Sequence, residues 1–305
     1  MIEISGLTKR YGRKTAVRDL SFTVHPGQVT GFLGPNGAGK STTMRMIVGL
    51  DRPTSGTATV NGREYVAYSA PLQKVGVLLD AKSVHRGRTA RNHLLALART
   101  HGIPAARVDE TLSMVGLGDA ARRRVGAFSL GMGQRLGLAA ALLGDPEVII
   151  LDEPVNGLDP DGVLWTRTLL KDLAARGRTV LVSSHLMSEM AVTAEHLVII
   201  GRGRLLADTT VEEFIARVDT GTVIVRSPEA GELRELLIGD GATVAGTERG
   251  VLRVHGLTAE RISELAAAAR VPLHELAPKR ASLEEAYMEL TRDALEYRPA
   301  EKSAA

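Results

Sequence analysis

The spacing of hydrophobic residues divides the chain into strand-rich, helical and again strand-rich stretches, followed by a smaller unit. Over residues 1–30 apolar and polar positions alternate, which predicts half-exposed antiparallel strands. Five later runs are mainly apolar, as in strands buried on both faces: residues 29–33, 75–79, 148–151, 179–183 and 196–200. Helices between such runs predict a largely parallel sheet covered by helices.

The middle of the chain has helical rather than strand spacing, which predicts a helical subdomain over about residues 81–143. Its expected helices cover residues 90–101, 104–115 and 130–143. Pro104 suits the first position of a helix, where its missing N–H costs nothing. Ser129 suits the cap of the third helix, because its hydroxyl can accept a hydrogen bond from a free backbone N–H.

The last part of the chain has the element order βαββαβ, typical of ferredoxin-like domains. We predict strands over residues 222–226, 242–246, 251–254 and 271–276, and helices over residues 231–237 and 258–270. A capping box at residues 282–285 then opens a final helix to about Leu290. The predicted domains are therefore residues 1–215, the accessory unit with its final helix over 220–292, and a flexible tail over 293–305.

Composition narrows the class of protein without naming a function. Of 305 residues, 44% are hydrophobic and 24% charged, and the net charge is only +3, so we expect no nucleic-acid partner. The absence of cysteine excludes disulfide and thiol chemistry and fits a reducing compartment. The first residues lack the apolar core of a signal peptide, and no apolar run reaches the ~18 residues of a membrane span.

Candidate chemistry begins at GPNGAGKST, between an apolar strand and an apolar-faced helix. It fits the phosphate-loop pattern G-x-x-x-x-G-K-[ST], whose glycines let backbone N–H groups converge on polyphosphate oxygens. Lys40 is expected to reach the β- and γ-phosphates, and the Ser41 hydroxyl to hold Mg²⁺. The predicted nucleotide-binding residues of this loop are Gly34, Pro35, Asn36, Gly37, Ala38, Gly39, Lys40, Ser41 and Thr42.

A second half-site follows the apolar strand 148–151, in the sequence VIILDEP. A carboxylate at the end of a buried strand is how such sheets place an acidic group beside Mg²⁺. Asp152 is therefore predicted to hold the metal. Glu153, the next residue, is placed to orient or deprotonate an attacking water.

From Ile2 to about Ala207 these motifs resemble, in order, the ATP-binding subunits of ABC transporters. Taken singly, each further match is more often structural: a surface tyrosine, a helix cap, a turn, a histidine after a strand. Their joint occurrence carries the resemblance. It implies that Tyr11 stacks on adenine and that His185 contacts the γ-phosphate. It also implies that Ser129, Gly131 and Met132, within FSLGMGQR, close over the nucleotide of an opposite subunit, and that Asp159 crosses the dimer seam.

Three departures from the family pattern affect the expected site. Asp80 stands where the family usually has glutamine after the strand at 75–79; it is shorter and charged, yet still able to reach Mg²⁺. In the family's signature motif, which FSLGMGQR matches, Leu130 replaces a usual glycine and Met132 a usual glutamine. Val155-Asn156 stands where the family commonly has Thr-x, just before the loop that carries Asp159. None removes a predicted catalytic residue (Lys40, Glu153 or His185) or the other metal ligands, Ser41 and Asp152, so we expect a site that hydrolyses ATP.

The resemblance implies an α/β P-loop ATPase with a mixed, largely parallel sheet, a helical subdomain and the small ferredoxin-like domain. Its cofactors are ATP and Mg²⁺. Its partners are a separate polytopic membrane permease and a second ATPase subunit; we expect a homodimer, and a heterodimer stays open. The lone cassette and the ending ASLEEAYMEL are similar to bacterial drug and antibiotic exporter ATPases, which bind peripherally at the cytoplasmic membrane face. A permease helix is then expected to dock between residues 80 and 100.

Two other functions fit the same nucleotide motifs. One is a soluble ATPase of this superfamily that acts on ribosomes or DNA; such proteins usually carry two cassettes or long coiled coils, and this chain has one cassette and no sustained heptads. The other is a nucleotide-binding module that does not hydrolyse ATP, for which Glu153 would have no catalytic role.

Overall fold

The computed structural model describes residues 1–81, 83–218, 221–248, 250–279 and 281–291. The tail predicted over residues 293–305 lies outside this range. Two compact units are present. The first is Met1–Val211 together with Met288 and the described residues after it, and the second is Glu212–Tyr287.

The first unit contains two sheets. In its described residues the strands are β1 (Ile2–Tyr11), β2 (Lys14–Val24), β3 (Val29–Leu33), β4 (Ser55–Val60), β5 (Val75–Leu78), β6 (Val148–Asp152), β7 (Thr179–Ser183), β8 (His196–Gly201) and β9 (Arg204–Thr210). The larger sheet has the order β5-β6-β7-β3-β8-β9, parallel except for β9, and the smaller is antiparallel in the order β2-β1-β4. The predicted mixed, largely parallel sheet is confirmed, and β9 is a strand that the apolar pattern did not indicate.

Helices of the first unit follow the predicted order. They are α1 (Lys40–Ile47), α2 (Ala90–Thr100), α3 (Ala105–Met114), α4 (Leu130–Leu142), α5 (Pro160–Ala175) and α6 (Met187–Thr193). Pro104 is the N-cap of α3 and has extended backbone, so the helix begins at Ala105, one residue later than predicted.

The core of this unit joins the two sheets to α1. Leu7 and Phe22 of the small sheet pack in one cluster with Phe32 and Ile150 of the large sheet and with Met44 of α1. The Phe22 and Phe32 ring centroids lie 5.5 Å apart. This packing fixes the helix that follows the phosphate loop against both sheets.

Close approach of α4 to β5 sets the position of the predicted signature helix. A side chain at Gly76 of β5 would overlap the carbonyl oxygen of Ala141 in α4, and a Cβ at Gly137 would lie 2.6 Å from Leu78 Cδ1. Interiors pack too densely to absorb such overlaps. Glycine at both positions therefore brings the helical subdomain directly onto the edge of the large sheet.

The second unit is a four-stranded antiparallel sheet with two covering helices. In chain order its elements are β10 (Thr222–Arg226), α8 (Ala230–Gly239), β11 (Thr243–Glu248), β12 (Val251–His255), α9 (Ala259–Ala269) and β13 (Glu275–Lys279). The strand order β11-β12-β10-β13 confirms the predicted ferredoxin-like βαββαβ arrangement. The last strand lies later than the predicted 271–276, because the backbone of residues 271–272 bonds elsewhere: Val271 N donates to the Ala266 carbonyl oxygen of α9, and the Pro272 carbonyl oxygen accepts from Ser227 Oγ. Strand β10 instead pairs Arg226 with Glu275.

Two short helices flank the second unit, α7 (Val211–Ala216) and α10 (Leu283–Thr291). The predicted capping box before α10 is present: Glu285 N donates to Ser282 Oγ at 3.1 Å, and Ser282 N donates to a Glu285 carboxylate oxygen at 2.9 Å. None of the helices that the structure describes has the length and hydrophobicity needed to cross a lipid bilayer.

Candidate active site

The predicted catalytic residues come together because their strands run in parallel. Phe32 of β3 pairs with Ser183 of β7, and Ser183 pairs with Asp152 of β6. The carboxyl ends of these strands therefore meet at one edge of the sheet, where open α/β sheets bind their ligands. The phosphate loop, the Asp152-Glu153 pair and the segment leading to His185 all begin at this edge.

Glycine shapes the phosphate loop, residues 34–42. Gly37 and Gly39 have φ of +81° and +107°, conformations that side chains rarely adopt. A Cβ on Gly39 would also lie 2.7 Å from the carbonyl oxygen of Ala16. Gly39 is the N-cap of α1 and offers no side-chain cap, so the first N–H groups of that helix remain available to an anion.

Lys40 is turned back into the loop that precedes it. Its Nζ donates to the carbonyl oxygen of Gly34 at 2.5 Å and lies 3.4 Å from that of Pro35. Burial lowers the pKa of Lys40, while the carboxylates of Glu153 and Asp152 oppose that shift. An ammonium held between loop carbonyls and two carboxylates is well placed to exchange some of these contacts for phosphate oxygens.

Asp152 is held by two hydroxyls. The Ser41 Oγ donates to Asp152 Oδ2 at 2.7 Å, and the Ser183 Oγ donates to Asp152 Oδ1 at 2.5 Å. Ser41 and Asp152 thus offer two adjacent hard oxygen ligands, which suit Mg²⁺. Within the residues that the structure describes, no group of three or more His, Asp or Glu side chains is arranged to hold a metal. A magnesium ion here would take its remaining ligands from phosphate and water, as is usual for Mg²⁺ at nucleotide sites.

Glu153 and His185 form a direct pair. A Glu153 carboxylate oxygen, Oε2, lies 2.7 Å from His185 Nδ1 and also accepts from the His185 backbone N–H at 3.3 Å. Glu153 has a φ of +52°, a left-handed conformation that costs a non-glycine residue about 1–3 kcal/mol. Such strain persists only where neighbouring groups hold it. Here the strained backbone directs the Glu153 carboxylate toward His185.

The predicted signature and seam residues lie at the starts of two neighbouring helices. Ser129 caps α4, its Oγ accepting from Met132 N at 3.2 Å, and Asp159 caps α5, accepting from Gly162 N at 3.0 Å. A Cβ on Gly131 would lie 3.0 Å from the carbonyl oxygen of Gly157, so the two segments touch. Among the described residues, no hydrogen bond or ion pair joins Ser129, Met132 or Asp159 to the phosphate loop of the same chain.

Tyr11 and Asp80 lie in less constrained positions. The Tyr11 ring is 48% exposed, its hydroxyl donates to Asp51 at 2.9 Å, and Lys9 Nζ lies 4.9 Å from the ring centroid. Asp80 follows β5, whose Leu78 pairs with Leu151, so it lies at the same edge of the sheet as Asp152. Its carboxylate accepts a hydrogen bond from Ser83 Oγ at 2.8 Å.

Two residues of the site were not predicted from the sequence. Ser183 is fully buried, and besides binding Asp152 it accepts a hydrogen bond from Glu153 N at 3.0 Å. Gln134 on α4 is 5% exposed and donates from Nε2 to the Glu153 carbonyl oxygen at 3.0 Å. The only sequence signals are a small polar residue ending an apolar strand and a polar residue within an apolar helix.

Comparison with protein families matches both units. Residues 17–156 match the family model described as ABC transporter. Residues 221–284 match a second model, described as a domain of unknown function.

Individual relatives match longer parts of the chain, one of them 97% of it. The uncharacterized ABC transporter ATP-binding protein YhcH of Bacillus subtilis (strain 168) is 35% identical over 307 residues, covering 97% of each chain. The bacitracin transport ATP-binding protein BcrA of Bacillus licheniformis is 43% identical over 220 residues, 71% of this chain and 72% of that protein. Among solved structures, an ATP-binding subunit of an ABC transporter superposes with a TM-score of 0.65 at 27% identity, covering 71% of this chain and 92% of that one.

Proposed function

We infer that this chain, which belongs to the ATP-binding subunits of ABC transporters, works as a dimer. We propose that the dimer powers export through a separate membrane permease. ATP is its nucleotide and ATP hydrolysis its reaction. The observation that carries the proposal is the meeting of Lys40, Asp152, Glu153 and His185 at one edge of the sheet, where Glu153 and His185 are 2.7 Å apart.

Each residue of this edge has a proposed task in hydrolysis. The phosphate loop and Lys40 bind the phosphates, and Ser41 and Asp152 hold Mg²⁺, with Asp80 nearby at the same edge. The ion supplies positive charge next to the phosphate oxygens. Glu153 accepts the proton of the attacking water. His185 holds the Glu153 carboxylate in place through Nδ1 and contacts the γ-phosphate with the rest of its ring, and Tyr11 stacks on the adenine.

The second subunit completes each site in this proposal. Ser129, Gly131 and Met132 contact the nucleotide of the opposite subunit, and Asp159 lies at the seam. Support comes from the exposure of this surface: Leu130, inside the motif, has 54% of its surface exposed to solvent. In this proposal the backbone N–H groups at the start of α4 face the nucleotide of the opposite subunit. An anion suits that end of a helix.

The membrane partner is proposed from the relatives and from one surface. The Bacillus licheniformis relative is named for bacitracin transport, so we propose a drug, an antibiotic or a lipid-like molecule as the exported substrate. A permease segment would dock on residues 80–100, holding the chain peripherally at the cytoplasmic face of the membrane. His85, Arg86 and Arg88 are exposed there and suit an acidic loop or headgroups at this contact.

Isolation of the tagged protein from its native cells tests this proposal. After extraction of membranes with mild detergent, we expect a stoichiometric polytopic membrane protein to accompany it, and none to accompany a tagged cytosolic control protein of similar size. Recovery from the cytosol alone, or with ribosomes or DNA, would contradict the transport role and favour the soluble ATPase instead.

A further inference from the structure

Gln134 joins the helix that begins at the signature motif to the backbone of the proposed catalytic base. It lies on α4, five residues after the cap Ser129, with a side chain only 5% exposed. Its Nε2 donates to the carbonyl oxygen of Glu153 at 3.0 Å. A buried side-chain amide that donates its hydrogen bond to one backbone carbonyl restricts the orientation of that carbonyl.

The two peptide groups that flank Glu153 are both held by side chains. The N–H on one side donates to Ser183 Oγ at 3.0 Å, and the carbonyl oxygen on the other accepts from Gln134 Nε2. The orientations of these two peptide planes define φ and ψ of Glu153, which are otherwise unfavourable because φ is +52°. The direction in which the Glu153 side chain leaves the backbone therefore depends on both contacts.

Neighbouring contacts extend this connection along the segment 153–159. Leu130 lies against Gly157, where a Cβ would overlap its side chain. Arg135 Nη2 lies 3.8 Å from Asp159 Oδ1, and its guanidinium stands 5.7 Å from the centre of the Trp165 ring. The first turns of α4 thus contact the segment at its start, middle and end, and the contact at its start, from Gln134, is made to Glu153 itself.

We propose that Gln134 is a positioning residue for ATP hydrolysis: its amide fixes the backbone of Glu153 and so makes the position of that carboxylate depend on α4. A rearrangement at the start of α4, where the signature motif lies, is then transmitted to the base of the same chain. This inference rests on the proposed role of Glu153.

Replacement Gln134→Met tests the amide while keeping an unbranched side chain of similar length. We expect kcat for ATP to fall about 10- to 100-fold, the effect of a misplaced reacting group, with KM for ATP unchanged. The matched control is Gln73→Met, since Gln73 Nε2 also donates to a backbone carbonyl, that of His101 at 2.7 Å, away from the site. The control is expected to keep wild-type kcat. Assays use the full chain, in its membrane complex where one copurifies.

Gln134→Glu provides a readout that a purely structural role would not move. An ionised carboxylate cannot donate to the Glu153 carbonyl, whereas a protonated one can. The activity of this variant relative to wild type should therefore rise as the pH is lowered, and the activity of the matched control Gln73→Glu relative to wild type should not.

Two results would overturn the inference. They are wild-type kcat in Gln134→Met and a rise in KM that accounts for the whole loss. If Glu153→Gln alone hydrolyses ATP at the wild-type rate, the proposed role of Glu153 fails, and that outcome is distinct from the failure of Gln134. Should Gln134→Met not fold, the pH response of Gln134→Glu decides.

Discussion

Replacing Ser183 by alanine should destabilise the first unit by more than one ordinary hydrogen bond. Ser183 is 0% exposed at the end of β7, and its hydroxyl both donates to Asp152 and accepts from the Glu153 N–H. Ser183→Ala removes both interactions while changing the side-chain volume very little. The two carboxylate residues of the site thereby lose their shared anchor.

The size of the effect follows from the two lost contacts. Leaving the Glu153 N–H without its partner costs about 1–3 kcal/mol, and a hydrogen bond to a charged group contributes about 1.5–3 kcal/mol. Asp152 is only partly buried and keeps its bond from Ser41, so water restores part of the second contribution. We therefore expect the free energy of unfolding to fall by about 2–4 kcal/mol.

Urea unfolding of the full chain measures this change, with ATP hydrolysis assayed on the same preparations. Ser113→Ala is the matched control: it removes an exposed hydroxyl from α3 and should change the free energy of unfolding by less than about 0.5 kcal/mol. Ser183→Ala should also lower ATP turnover, since the Glu153 backbone is freed on one side. A loss of stability no larger than that of Ser113→Ala would refute the reasoning.

Two further substitutions test the phosphate loop. Lys40→Ala should abolish ATP binding or turnover, because the ammonium that lies 2.5 Å from the Gly34 carbonyl oxygen is removed; a filter-binding and ATPase assay checks this, and retained hydrolysis would contradict the loop assignment. Gly39→Ala should weaken ATP binding and lower stability by about 1–3 kcal/mol or more, since it strains a φ of +107° and brings a Cβ within 2.7 Å of the Ala16 carbonyl oxygen. The control Gly231→Ala, at a helical glycine with open space around it, should leave both properties unchanged or raise stability slightly.

The features predicted well from the sequence are those that a local pattern determines. The phosphate loop and the acidic pair after β6 carry their own spacing, and a parallel sheet brings their ends together without further information. The capping box at Ser282 and the N-cap at Ser129 are likewise determined by a few neighbouring residues. Strand β13 lies later than the hydrophobic pattern predicts, because hydrophobicity continues across Val271 and Leu273 while the backbone groups of Val271 and Pro272 bond Ala266 and Ser227 instead of β10.

Contacts between distant segments were not predictable from any one of them. Ser183 and Gln134 meet Glu153 across 30 and 19 residues of sequence, and each looks in isolation like a strand end or a polar interruption of a helix. The left-handed backbone of Glu153 is likewise a product of the contacts around it, since glutamate has no local preference for that conformation. The helical subdomain was predicted, but its seat on β5 depends on Gly76 and Gly137, which only the packed structure relates.

The central claim is that this chain hydrolyses ATP with Glu153 as the base, in a dimer. Glu153→Gln keeps the size of the side chain and one acceptor oxygen, but replaces the other oxygen by an NH₂ donor and cannot accept the proton. We therefore propose to measure ATP turnover, ATP binding and mass in solution on that variant. We predict that ATP binding persists, that hydrolysis is lost and that an ATP-bound dimer accumulates. Hydrolysis at the wild-type rate would place the base elsewhere and contradict it.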